Sequence, residues 1–189
     1  MRKSSVRPAR GLTPALAAWA VLPVAAAAVL AASLPQPALL WNRTPSEPLG
    51  LYVRTLGPPA RGAIIAFQAP APAFPYADGQ MDYLRRIPIL KAIAAGEGDH
   101  VCTDGGTLTI NGIRRAPLLT HDSRGVGLPR WAGCRTMARG EFFVFSDRIP
   151  NSFDSRYFGP VTTREILGVF RPLSPSIRSS GDRRWILRP

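Results

Sequence analysis

With 189 residues, 46% of them hydrophobic, the chain has the length for one soluble domain plus an accessory segment. Its 20 prolines and 17 glycines exclude long helices beyond the first segment and favour short strands joined by turns. A net charge of +12 would suit nucleic acid, but no zinc-finger spacing, RNA-binding sheet signature or basic helix accompanies it, so specific nucleic-acid binding is not expected.

Positive charge clusters only at the two ends, as Arg2, Lys3, Arg7 and Arg10 and as Arg178, Arg183, Arg184 and Arg188. Both clusters fit anionic lipid headgroups at least as well as phosphodiester backbones. Residues 1–10 read as a basic cytoplasmic tail. From Gly11 to Asn42 there is no charged residue, and Leu12–Ser33 is a 22-residue alanine-rich run long enough to cross a bilayer. Pro14 and Pro23 interrupt it. The positive charges before it put the amino terminus in the cytoplasm and the rest outside. A retained transmembrane signal anchor at 11–33 is therefore expected, in a single-pass membrane protein; the family resemblance given below implies the bacterial inner membrane. A cleavable signal peptide is the rival, since Ala-x-Ala sites abound near Ala26–Ala32. Either way residues 42–189, after a proline-containing linker at 34–41, are expected as an exported domain, which the resemblance given below implies to be periplasmic.

Export bears on the cysteines. Cys102 and Cys134 are the only two, and two thiols in an oxidising compartment pair as a rule. Closing that loop would stabilise the fold by about 3–4 kcal/mol in the chain-entropy picture. The competing idea is a metal site built from His100, Cys102, His121 and Cys134, whose spacing matches no usual zinc motif. No metal and no cofactor is expected.

Leu49–Arg54 reads as a short extended segment and Gly62–Phe67 as a buried strand. Residues 68–80 (QAPAPAFPYADGQ) read as a Pro/Ala-rich loop, either a flexible excursion or an apolar tip on the bilayer. Asp82–Arg86 suggests a helical turn before Pro88. Asn111-Gly112, flanked by Leu108–Ile110 and Ile113–Arg115, is a strong hairpin signal. Phe142–Phe145 and Glu165–Phe170 supply two more strands. The expected fold is all-β, a partly open barrel or ribbon of short strands tethered by one amino-terminal transmembrane helix.

The chain has 22 arginines but only two lysines, Lys3 in the tail and Lys91 within Ile89-Leu90-Lys91-Ala92-Ile93. Arginine stays charged at any workable pH, whereas a desolvated lysine can lose its proton and act as a base. At an unperturbed pKa near 10.4 only about one lysine in 2,500 is neutral at pH 7, so apolar neighbours are needed. The competing reading is a lysine that snorkels from a strand end to solvent. Ser46, in Thr44-Pro45-Ser46-Glu47-Pro48, is the leading nucleophile for such a base. His121-Asp122 could serve a Ser/His/Asp triad, but adjacent residues relay poorly, and both His121 and His100 read as ordinary surface or strand residues.

Three segments line up: Ser46 shortly after the apolar span, Lys91 followed by Gly98-Asp99, and Asn151-Ser152-Phe153-Asp154-Ser155-Arg156-Tyr157-Phe158-Gly159. Together they resemble the type I signal peptidase family, membrane-anchored serine proteases with a Ser–Lys dyad. Thr-Pro-Ser-x-Pro-x-Gly-Leu-Tyr around Ser46, with the cysteine pair, is most similar to the conjugative-transfer, TraF-like branch. Glu47 and Ala92 stand where the housekeeping branch has methionine and arginine, and Ser146 where glycine is usual.

The resemblance implies that Ser46 Oγ attacks the scissile carbonyl while Lys91 Nζ takes and returns the proton. It implies that Ser152 orients the lysine and that the Thr44 hydroxyl joins the Ser46 amide in an oxyanion hole. Asp154 and Arg156 match a structural charged pair near the site. The implied substrate is an exported pre-protein bound as an extended strand, a pilin precursor for this branch, which is cleaved or cyclised, with other conjugative transfer proteins as further partners. A general housekeeping signal peptidase and a non-catalytic membrane-anchored pilus assembly factor are the alternatives.

Overall fold

A computed structural model describes residues 36–173. The expected tail and anchor at residues 1–33 and the carboxy-terminal basic cluster lie outside the described residues. Among the described residues no helix is long and apolar enough to cross a membrane. All described strands belong to the unit that begins at Leu39.

The strands are β1 (Leu39–Asn42), β2 (Gly50–Thr55), β3 (Ile64–Phe67), β4 (Ile89–Ala95), β5 (His100–Cys102), β6 (Thr107–Ile110), β7 (Ile113–Pro117), β8 (Cys134–Thr136), β9 (Glu141–Val144), β10 (Val161–Thr162) and β11 (Ile166–Pro172). They form a seven-stranded sheet in the order β1-β2-β11-β3-β4-β9-β10 and a four-stranded sheet in the order β7-β6-β5-β8. Every pairing is antiparallel. The large sheet is open, because its end strands β1 and β10 pair with neighbours on one side only. The mostly-β expectation holds.

Alternation decides which side chains meet. On β3, Ile65 and Phe67 enter one apolar cluster while Ala66 enters another, the two-residue period of a strand buried on both faces. The larger cluster joins them to Ile89, Ile93, Val144, Phe158, Val161 and Val169. A separate cluster of Val101, Leu108, Ile110, Met137, Phe143 and Phe145 links the small sheet to the ends of β4 and β9. The Asn-Gly hairpin forms as expected: Asn111 and Gly112 take φ of 51° and 77°, and Ile110 faces Ile113. Two central residues of positive φ make the turn whose twist matches paired strands.

Two expectations are corrected. Residues 68–80 are not a free loop: a 3-10 turn at Ala71–Ala73 and a short helix α1 (Tyr76–Gln80) pack Ala73 and Ala77, both fully buried, into the larger cluster. Small alanines let a proline-rich chain lie close against the sheet, and the 3-10 turn at Asp82–Arg85 then carries it into β4. The linker is also shorter than 34–41, because Leu39–Trp41 pair with Leu51–Val53 as part of β1. A lone β1 is too short to announce itself by alternation.

Candidate active site

The alternation on β4 aims Lys91. Ile89 and Ile93, two residues to either side, lie in the larger cluster, and Ile65 is the cross-strand partner of Lys91. The aliphatic neighbours on that face therefore carry the side chain out of solvent, and Lys91 is only 5% exposed. The snorkelling reading is overturned. Burial holds the Lys91 pKa below the ordinary lysine value, Asp154 and Glu47 oppose that, and Arg156 reinforces it.

Lys91 Nζ lies 2.5 Å from Ser46 Oγ, and Ser46 is itself 3% exposed. Ser46 reaches that point because the chain between β1 and β2 inserts where β4 and β9 separate. Past the Ile93–Val144 pair, Phe145 N–H still donates to the Ala92 carbonyl. The Ala92 N–H instead donates to Glu47 Oε1 at 2.8 Å.

The inserted turn is held by Asn42, whose role sequence reasoning missed. Its Nδ2 donates to the carbonyls of Thr44, Glu47 and Pro48 at 3.0, 3.0 and 2.9 Å. Its Oδ1 accepts from Thr44 N–H at 3.1 Å and from the Thr44 hydroxyl at 2.9 Å. An asparagine two residues ahead of a threonine in a proline-rich stretch is an Asx-turn signal that could have found it. Tyr52 donates its hydroxyl to the Pro48 carbonyl, and Ser146 donates its own to the Ser46 carbonyl. Thr44 Oγ1 stands 3.4 Å from Ser46 Oγ, beside the nucleophile as the resemblance implies. Its proton is engaged by Asn42, so service to an oxyanion requires the hydroxyl to rotate.

The segment after β9 closes the site from the other side. Asp154 accepts from Arg156 Nε at 2.8 Å and Nη2 at 3.0 Å, with both side chains at most 1% exposed. Asp154 also caps helix α2 (Ser155–Phe158), accepting from Arg156 N–H, and Gly159 ends that helix at φ 83°. A Cβ at Gly159 would stand 2.8 Å from the Trp131 ring, so glycine is required there for space as well as for backbone. Arg156 Nη2 donates to the Ser152 carbonyl at 2.9 Å. Ser152 is 2% exposed, yet its Oγ has no hydrogen-bond partner, and it does not bond Lys91 as the resemblance implies. Ser46, Lys91, Thr44, Asp154 and Arg156 thus converge, while the Ser152 hydroxyl remains buried and unspent.

The other candidates lie elsewhere. Cys102 and Cys134 are cross-strand partners on β5 and β8 and are joined as a disulfide. Their sulfurs lie near His100, but bonded sulfurs are not thiolate ligands, and His121 is exposed on a separate loop. Asp122 accepts from the Tyr76 hydroxyl and loop N–H groups, so it is occupied in bracing that loop. Asp99, the end of the Gly-Asp pair, joins Arg61, Asn111 Nδ2 and Gly96 N–H at the passage between the sheets.

A desolvated amine against a hydroxyl, at a gap in an antiparallel sheet, is an arrangement chemically able to support acyl transfer, and the family to which the chain belongs is one of peptidases. The chain belongs to the signal peptidase, peptidase S26 family, whose profile matches residues 14–173. Within it the chain falls in the TraF-like branch. It is 31% identical over 147 residues to a plasmid transfer protein TraF of Escherichia coli, covering 70% of this chain and 80% of that protein. It is 32% identical over 151 residues to the conjugal transfer protein TraF of Agrobacterium tumefaciens (strain 15955), again covering 70% and 80%. Among solved structures, a signal peptidase I from Enterococcus faecalis V583 is 26% identical, covers 61% of this chain and 98% of its own, and superposes with a TM-score of 0.36.

Proposed function

We propose that this protein is a membrane-anchored serine endopeptidase that matures an exported precursor in conjugative transfer, with Ser46 as nucleophile and Lys91 as general base. The observation that carries the reading is the buried 2.5 Å approach of Lys91 Nζ to Ser46 Oγ. Neutral Lys91 accepts the Ser46 proton as Oγ bonds the scissile carbonyl carbon. The tetrahedral oxyanion is met by the Ser46 N–H and the Thr44 hydroxyl after it turns from Asn42. The carbon–nitrogen bond then breaks and Lys91 returns its proton to the departing amine, leaving an ester on Ser46. Water, deprotonated by Lys91, resolves the ester to an acid. An amine of the substrate itself would resolve it to a cyclic amide, one water lighter.

Residues 11–33 serve in this reading as the signal anchor, with residues 1–10 cytoplasmic and the catalytic domain on the periplasmic face of the inner membrane. The branch relatives are named for plasmid and conjugal transfer, which supports a role in conjugative transfer; in this reading the substrate is a pilin precursor and other transfer proteins are partners. Co-expression with the pilin precursor and mass spectrometry of the product tests this. Processing should stop with Ser46→Ala and with Lys91→Arg. Continued cleavage by either variant removes the dyad, and growth rescue of a cell lacking its housekeeping signal peptidase points to the general enzyme instead.

A further inference from the structure

Glu47 is a carboxylate in the wall of this site to which the Ser46–Lys91 chemistry assigns no role. It is 5% exposed. Its Oε1 accepts from Ala92 N–H at 2.8 Å, and its own carbonyl accepts from Asn42 Nδ2 at 3.0 Å. Glu47 follows Ser46 and Ala92 follows Lys91, so the contact runs parallel to the Lys91–Ser46 contact. Residues 46 and 47 are thus pinned to residues 91 and 92 by two separate links. The Glu47 link substitutes for a ladder bond where β9 has turned away from β4, and without an acceptor there a half-buried N–H loses its partner.

We propose that Glu47 is a positioning residue for the Ser46–Lys91 pair: its carboxylate clamps the nucleophile turn to β4 one residue beyond the Lys91–Ser46 contact, and so stands as a charged group next to the buried amine. The proposal rests on the dyad reading above. The charged groups facing Lys91 are Glu47 and Asp154, which favour its protonated form, and Arg156, which disfavours it. Glu47 in turn faces Lys91, Arg148, Asp147 and the Tyr52 hydroxyl. Burial holds the Glu47 carboxyl above the ordinary carboxylate range; the Ala92 bond, Lys91 and Arg148 oppose that without cancelling it, and Asp147 adds to it. Removing the negative charge withdraws support from the ammonium, so the Lys91 pKa falls further and the neutral base persists to lower pH.

The scarcity of lysine makes the test direct. The full chain in detergent micelles, labelled at lysine Cε, gives signals from Lys3 and Lys91 alone, and Lys91→Arg identifies the second. The Lys91 titration is followed in the wild type, Glu47→Gln and Glu47→Ala, together with kcat and KM for precursor processing. In Glu47→Gln the amide oxygen still accepts from Ala92, so the Lys91 titration and the acid limb of the kcat profile should move to lower pH together. Glu47→Ala should lower kcat by about 100-fold through misplacement, with little change in KM, and glutamine should recover most of that loss. An unmoved Lys91 titration in Glu47→Gln overturns the electrostatic role, even if Glu47→Ala fails to fold. A loss in Glu47→Ala that glutamine does not recover overturns the clamp. Processing by Lys91→Arg, with the titration still shifting in Glu47→Gln, marks the failure as one of the dyad reading itself.

Discussion

The two sheets of this domain spend buried polarity very differently. Where the large sheet opens between β4 and β9, Ser46, Glu47, Lys91, Ser146, Ser152, Asp154, Ser155 and Arg156 are all buried. The small sheet buries its apolar residues on β5 and β6 but leaves β7 and β8 largely exposed, and it carries the Cys102–Cys134 disulfide. Desolvating polar groups costs free energy unless each finds a partner. Most members of this cluster have one, and the Ser152 hydroxyl, which has none, bears that cost. The small sheet differs, with an apolar inner cluster, exposed outer strands and a covalent tie between β5 and β8.

Substitutions on the two sides should separate these roles. The largest effect is expected for Ser46→Ala and Lys91→Arg, each lowering processing by at least about 1,000-fold. Ser46→Ala should leave thermal unfolding within a few degrees of wild type by calorimetry; a collapse in its Tm would mean that Ser46 is structural. Next comes Arg156→Ala, which strands the Asp154 carboxylate in the interior and should cost about 3–5 kcal/mol in denaturant unfolding. A small change there would mean that water reaches the pair and that the buried-polarity contrast is overstated. Converting Cys102 and Cys134 to serine together should cost about 3–4 kcal/mol, yet leave kcat for the remaining folded protein close to wild type. A kcat loss matching that of a site variant would join the two regions functionally. The smallest effect is expected for His121→Ala, within about 0.5 kcal/mol in stability and silent in processing. Loss of activity there would revive the triad.

Much of the site was legible because its chemistry depends on residue type. A single lysine among aliphatic residues in a chain otherwise using arginine, and a serine between prolines, are visible in one dimension. The Asn-Gly hairpin was equally legible, since its turn is dictated by two adjacent residues. Glu47, Asn42 and Ser146 were not, because each acts through a backbone group brought close only by folding: the Ala92 N–H, the Thr44, Glu47 and Pro48 carbonyls, and the Ser46 carbonyl. Residues 68–80 misled because proline and alanine read as a mobile loop, while small side chains also permit close packing on a sheet face.

By itself, then, the order of residues determined the candidate nucleophile and base, the strand-rich character and the oxidising setting expected for the cysteines. Those follow from side-chain chemistry and short-range backbone preference. Only the tertiary structure decided that Lys91 faces the core rather than solvent, that the Ser46 turn wedges into the gap between β4 and β9, and that Ser152 stays without a partner. Whether a charged side chain is desolvated depends on atoms supplied by strands far away in sequence, and local pattern carries no record of them.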